Sequence, residues 1–138
     1  MAAVRIKEVG SVPWTVTLDN GERAELDERP TDRGASRHSH PGSETELYLH
    51  ENTCPPNVEV DVHVHRTDEI IYVTAGELHL GARVLKAGDS VYIPGNTLYG
   101  FRSGPEGLSF LNFRGRRDNS HVMKDEFLAE RAEARGSA

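Results

Sequence analysis

Apolar residues recur at every second position along most of this chain, and Gly, Pro, Asn or Asp interrupt them every eight to twelve residues. A period of two marks strands with one buried face, and frequent turns mark an antiparallel sandwich or barrel rather than a helical bundle. The pattern predicts strands over residues 12–18, 23–26, 46–50, 58–65, 69–74, 77–81, 90–93, 98–102 and 108–113. Turns are predicted at Asp19-Asn20-Gly21, Ala75-Gly76, Ala87-Gly88-Asp89, Pro94-Gly95-Asn96 and Ser103-Gly104-Pro105. There Gly supplies positive φ and Pro holds its own φ fixed.

Two segments depart from the alternation. Residues 31–43 (TDRGASRHSHPGS) are polar, lack apolar periodicity and read as a mobile loop able to act as a lid over an open barrel end. From Met123 the run MKDEFLAERAEAR is dense in helix formers, with Met123, Phe127 and Leu128 forming a narrow apolar stripe. The chain therefore divides into first strands at 1–30, the loop at 31–43, a core barrel at 44–115, and a C-terminal helix and tail at 116–138 that frays over Gly136-Ser137-Ala138. Its 138 residues suit one domain.

Strand 58–65 carries the chemistry. Val58, Val60, Val62 and Val64 alternate with Glu59, Asp61, His63 and His65, so two imidazoles leave the same face about 6.6–7 Å apart and can converge on one ion. Glu69 opens the next strand after a short connection and brings a carboxylate from an antiparallel neighbour. Gly76 follows where the hairpin turns. Two histidines and one carboxylate form the facial set of non-haem Fe(II) enzymes, and the same donors suit Zn, Mn, Ni or Co, so one divalent transition metal is expected. Glu59 and Asp61, on the histidine face, are candidates to orient an imidazole or act as a base. In strand 108–113 a single Asn112 stands among Phe and Leu, which suits a strand lining or closing an apolar pocket.

Residues 63–76 resemble the first motif of the cupin superfamily, G-x5-H-x-H-x3-E-x6-G: His63, His65, Glu69 and Gly76 match, and Asn57 replaces the first glycine. The second motif, G-x5-P-x-G-x2-H-x3-N, is matched by Gly88 and Pro94, whereas Asn96 replaces glycine, Tyr99 the fourth ligand histidine and Ser103 asparagine. The resemblance spans residues 58–114 and implies an all-β, single-domain jelly-roll barrel with a short C-terminal helix. It also implies metal ligands at His63, His65 and Glu69. Tyr99 either takes the fourth ligand position, protonates an intermediate, or is a wall residue beside Phe101. His40 and His50 are the best placed of the remaining candidates His38, His40, His50 and His79 to supply a further donor or a substrate contact.

Charge narrows the partners. A net charge of −6 and a pI near 5.6, with no basic block, give no footprint for nucleic acid or an anionic membrane, which leaves a small molecule. The start of the chain lacks the apolar stretch of a secretion signal and no segment is long and apolar enough to span a bilayer, so a cytoplasmic protein is expected. Cys54 is the single cysteine, which excludes an intrachain disulfide, and it reads as a bystander. A metal held by three protein ligands keeps positions open for substrate, water or dioxygen, so the expected function is a metal-dependent enzyme, leaning to an oxygenase. The alternatives are an isomerase, lyase or cyclase, or a non-catalytic small-molecule binder. A phosphate-binding site needs inward cations, and Arg66, Arg83 and Arg102 do not face inward by pattern. A homodimer is expected to cover the Val58–Val64 stripe.

Overall fold

The computed structural model describes residues 4–40, 43, 45–116 and 120–136. The elements in chain order are β1 (Trp14–Thr17), β2 (Arg23–Leu26), β3 (Ala35–His38), β4 (Tyr48–Cys54), β5 (Glu59–Val64), β6 (Glu69–Leu80), β7 (Arg83–Lys86), β8 (Ser90–Ile93), β9 (Tyr99–Arg114), β10 (Val122–Met123) and α1 (Lys124–Gly136). All pairings are antiparallel, in the order β10-β5-β9-β4-β3-β1-β2, while β6 pairs with β9 and carries β7 and β8. The result is an all-β half-barrel curled around β9, with one short C-terminal helix.

Strand register assigns every inward residue. Thr15 pairs with Ser36, Ser36 with Asn52, Asn52 with Phe110 and Phe110 with Val73, and directly paired residues share a face. The main core lies on this inner side, around Ile71, Val73, Phe101 and Phe110. A smaller cluster of Trp14, Val16 and Ala35 lies on the other face, where the Arg37 guanidinium sits 4.2 Å from the Trp14 ring centroid.

Several expectations change. β3 runs through the segment read as a loop: Ser36 pairs with both Thr15 and Asn52, so this stretch is barrel wall and not a lid. Its Pro41 and Gly42 lie outside the described residues, as do Ser137 and Ala138 of the expected frayed end. Strand 46–50 runs on to Cys54, and β7 was not predicted. β6 and β9 each continue through an expected turn, as single strands of 12 and 16 residues. Gly76 takes φ 70° between register shifts of β6 on β9, and both it and Gly104 allow the strands to approach closely. A Cβ at Gly76 would lie 2.0 Å from the Gly107 carbonyl oxygen, and one at Gly104 would lie 2.7 Å from Glu77 Cβ.

The strict alternation of strand 58–65 also fails. Val60 pairs with Phe101 and His63 with Tyr99, so three steps on β5 oppose two on β9, with Asp61 and Val62 in the bulge. The bulge turns Val60 inward with His63 and leaves no continuous valine stripe. Val64 is fully buried, paired with Val122 beside α1. The helix is anchored by buried Phe127, which contributes about 1.5–3 kcal/mol. Met123 lies in β10, and Leu128 is exposed. β5 and β6 are not hydrogen-bonded neighbours, so residues 63–76 do not form a hairpin; β9 links the two strands.

Candidate metal centre

β5 and the residue just past its end deliver His63 and His65 to the inner face, and β10 brings His121 beside them by pairing Val122 with Val64 and Met123 with His63. One ligand atom from each of these three imidazoles lies within 4.8 Å of the others. The His63 and His121 rings stack at 4.2 Å between centroids, and the His63 and His65 centroids are 4.9 Å apart. His63 Nδ1 donates to the Asp61 carbonyl at 2.7 Å, and His65 Nδ1 donates to the Ser120 carbonyl. A carbonyl only accepts, so both rings carry their proton on Nδ1 and keep the Nε2 lone pair free, the arrangement that prepares imidazole to ligate a metal. Burial pushes the His65 pKa down, with Arg114 adding to the effect and Glu69 opposing it. Burial and the neighbouring His63 and His65 lower that of His121. Neutral rings are the ligating form, so the donors fit a divalent transition metal.

Glu69 stands outside this set of converging nitrogens. Its carboxylate is 2% exposed. Oε1 accepts from the Tyr99 hydroxyl, and Oε2 accepts from Asn112 Nδ2 at 2.7 Å and Arg114 Nη2 at 3.1 Å. β9 presents all three partners, because Arg114 pairs directly with Glu69 and Asn112 with Ile71. The buried pair is compensated on both sides, which is what keeps two charges tolerable away from water. Tyr99 also lies against His63, with ring centroids 4.6 Å apart, and stacks on Phe101. Burial, reinforced by the Glu69 charge and hydrogen bond, pushes the Tyr99 pKa well above the usual phenol range. Tyr99 is therefore a neutral donor here.

The cavity beside these groups has a volume of about 400 Å3 and reaches from His63 and His121 past Tyr99 and Phe101 to Arg23. His50 lines it, with a buried Nε2 that has no hydrogen-bond partner. Burial, with the charges of His38, Arg114 and Arg23, pushes the His50 pKa down to about 3. His40 is elsewhere, in an outer groove with Tyr92 and Phe113. Glu59 and Asp61 are exposed, because the β5 bulge takes them off the histidine face; only the Asp61 backbone carbonyl touches the site. His79 pairs with Glu77 at 3.3 Å. Cys54 lines the cavity with its thiol pKa raised by burial, an unreactive state.

His121, Arg114, Arg23 and Arg33 were not singled out from the sequence. No spacing rule links His121 to β5, since only tertiary pairing joins them. The lone Asn112 in an apolar strand was a usable signal.

The cupin family model, described as a cupin domain, matches residues 50–112. The chain carries a cupin domain. An RmlC-like cupin from Ralstonia eutropha superposes with a TM-score of 0.69 at 13% identity, covering 90% of this chain and 75% of that one. The polyketide cyclase RemF from Streptomyces resistomycificus gives 0.62 at 18%, covering 90% and 86%. The DMSP lyase DddQ from Ruegeria pomeroyi gives 0.58 at 22%, covering 68% and 53%. At these identities the likeness is one of cupin fold. No curated protein matches the chain.

The departures from the cupin motifs have local explanations. Asn57 and Asn96 replace motif glycines and both adopt positive φ, 57° and 60°, which Asn tolerates better than most residues. Ser103, in the motif asparagine position, is fully buried. Its hydroxyl donates to the Pro55 carbonyl at 2.6 Å and accepts from the Val58 amide at 2.8 Å, tying β9 to the start of β5.

Proposed function

We propose that this cupin is a metal-dependent enzyme that moves protons on a small organic molecule, as a lyase, isomerase or cyclase does. The observation that carries the reading is the Tyr99 hydroxyl donating to the Glu69 carboxylate beside three converging imidazoles. His63, His65 and His121 would hold the ion, and Arg114 and Asn112 hold Glu69 against Tyr99. A divalent ion there supplies positive charge that polarises an oxygen of the substrate. Tyr99 holds a proton at its phenolic oxygen and Glu69 Oε1 accepts it, so a proton passes between substrate and carboxylate without bulk water. Phe101 and Ile71 form the apolar wall of the cavity.

The expected oxygenase has less support. Its facial set needs Glu69 as third ligand, and Glu69 is engaged by Arg114, Asn112 and Tyr99. Two of the similar structures are named a cyclase and a lyase, in keeping with proton chemistry. The proposal includes small-molecule partners rather than nucleic acid, and a cytoplasmic location for a chain with net charge −6. No helix of the described residues is long and apolar enough to cross a membrane. The expected homodimer would cover Ile70, Tyr92 and Phe113, which are exposed on the outer face, in place of the valine stripe.

The test is elemental analysis of purified protein, followed by incubation with small carbonyl compounds in D2O and NMR detection of deuterium entering C–H positions. One equivalent of metal and deuterium incorporation are expected. Tyr99→Phe should keep the metal and slow exchange about 100- to 10,000-fold. Absence of bound metal, or equal exchange in Tyr99→Phe, sinks the reading.

A further inference from the structure

The walls of the inner cavity are unequal in charge. Arg23, Arg33 and Arg114 line it, and no Asp or Glu does among the described residues. Glu69 neutralises Arg114 from behind. Arg33 meets Asp32 at 3.2 Å, on an exposed and therefore weak pair. No acidic side chain pairs with Arg23 among the described residues. Arg23 is exposed on β2, and its register partner is Thr17, another residue of the cavity wall, which places the guanidinium at the mouth. A cation at the mouth of a mostly apolar cavity is the usual means of orienting an anionic ligand.

A second, independent feature lies deeper. Two buried polar atoms, His50 Nε2 and Asn112 Oδ1, lack partners. They belong to residues paired directly across β4 and β9, so they stand side by side on the cavity wall. Asn112 Nδ2 is committed to Glu69, which leaves Oδ1 as a pure acceptor. Unpaired buried polar atoms cost stability unless something fills them, and a ligand that offers a donor does so. Val60, Phe101 and Phe110 supply apolar surface to the same cavity.

We propose that the substrate is a small organic acid with a hydroxyl or amide N–H on an apolar skeleton, its carboxylate at Arg23 and Arg33 and its donor at Asn112 Oδ1. This rests on the same cavity being the reaction site, with the far end of the molecule beside His63 and Tyr99. Guanidinium is suited to the task, since its planar fork matches both carboxylate oxygens. A cavity of about 400 Å3 falls at the lower end of ligand-site volumes. The substrate is correspondingly small.

The experiment is calorimetric titration of the full chain, both chelator-treated and zinc-loaded. The probes are lactate, mandelate and 3-phenyllactate, each with its neutral amide, together with 3-phenylpropionate. At least one hydroxy acid should bind about tenfold more tightly than its amide. Arg23→Gln should remove that preference while leaving amide affinity within about twofold, with Arg33→Gln doing so more weakly. Losing the hydroxyl, from 3-phenyllactate to 3-phenylpropionate, should weaken binding in the parent chain and not in Asn112→Leu. The preference for acid must survive in the chelated protein. A preference seen only with zinc assigns the carboxylate to the ion and overturns the proposal. So do equal affinities of acid and amide, an unchanged Arg23→Gln, or no acid binding below about 10 mM. Failure of the metal reading shows separately, as absent zinc stoichiometry with the acid preference intact.

Discussion

The inner face carries two stacked imidazole pairs, His63 with His121 at 4.2 Å between centroids and His38 with His50 at 4.6 Å. By ring separation alone they are nearly equivalent. The first gains a third ring, His65, and backbone carbonyls at Asp61 and Ser120 that fix two of the three tautomers. The second has no third imidazole: Tyr48 edges both rings, its hydroxyl lies 3.5 Å from His38 Nε2, and His50 Nε2 is left bare. Proximity of histidines is thus a weak criterion for a metal site. What marks the first pair is the third imidazole together with carbonyls that set the proton on Nδ1 of His63 and His65.

Single substitutions should break this contrast in graded steps. His63→Ala is expected to lower metal affinity by more than the about 10- to 100-fold that follows loss of an orienting partner. His38→Ala should leave one equivalent bound, as read by elemental analysis after dialysis. Glu69→Gln removes the carboxylate paired with buried Arg114 and should cost about 3–5 kcal/mol in urea denaturation.

An effect confined to acid pH distinguishes the second pair. The folded His50 pKa lies below its unfolded value of 6.5, at about 3, so the unfolded chain binds the extra proton between those values. Stability attributable to His50 is full above pH 6.5 and declines as pH falls toward 3, by about 1.4 kcal/mol per unit. His50→Phe should flatten the stability–pH curve by that slope, and an unchanged curve would mean that His50 is not held neutral by the fold. Asp61→Ala should have the least effect, within about 0.5 kcal/mol and with full metal occupancy. Its carboxylate is exposed, and only its main chain meets His63.

Much of this was legible in local pattern. Period-two alternation exposed the strands because each has one face against the core, and the helix announced itself by composition. The histidines of β5 were legible because two residues apart on a strand means one face, even though the bulge at Asp61 and Val62 falls just before them. Glu59 and Asp61 were misplaced by that same bulge, since one extra residue flips every side chain preceding it. The turns expected at Gly76 and Gly104 do not form because glycine also serves inside a strand: Gly76 takes φ 70° between register shifts of β6 on β9, and both glycines allow the paired strands to approach closely.

By itself the sequence determined the fold class and the inward pair His63 and His65. These follow from a residue and its near neighbours. Only tertiary structure decided that His121 converges with His63 and His65, that Glu69 answers to Arg114, and that Arg23 stands at the mouth of the cavity. Each of those relations joins strands far apart in the chain, and it exists because β9 pairs with β4, β5 and β6 together.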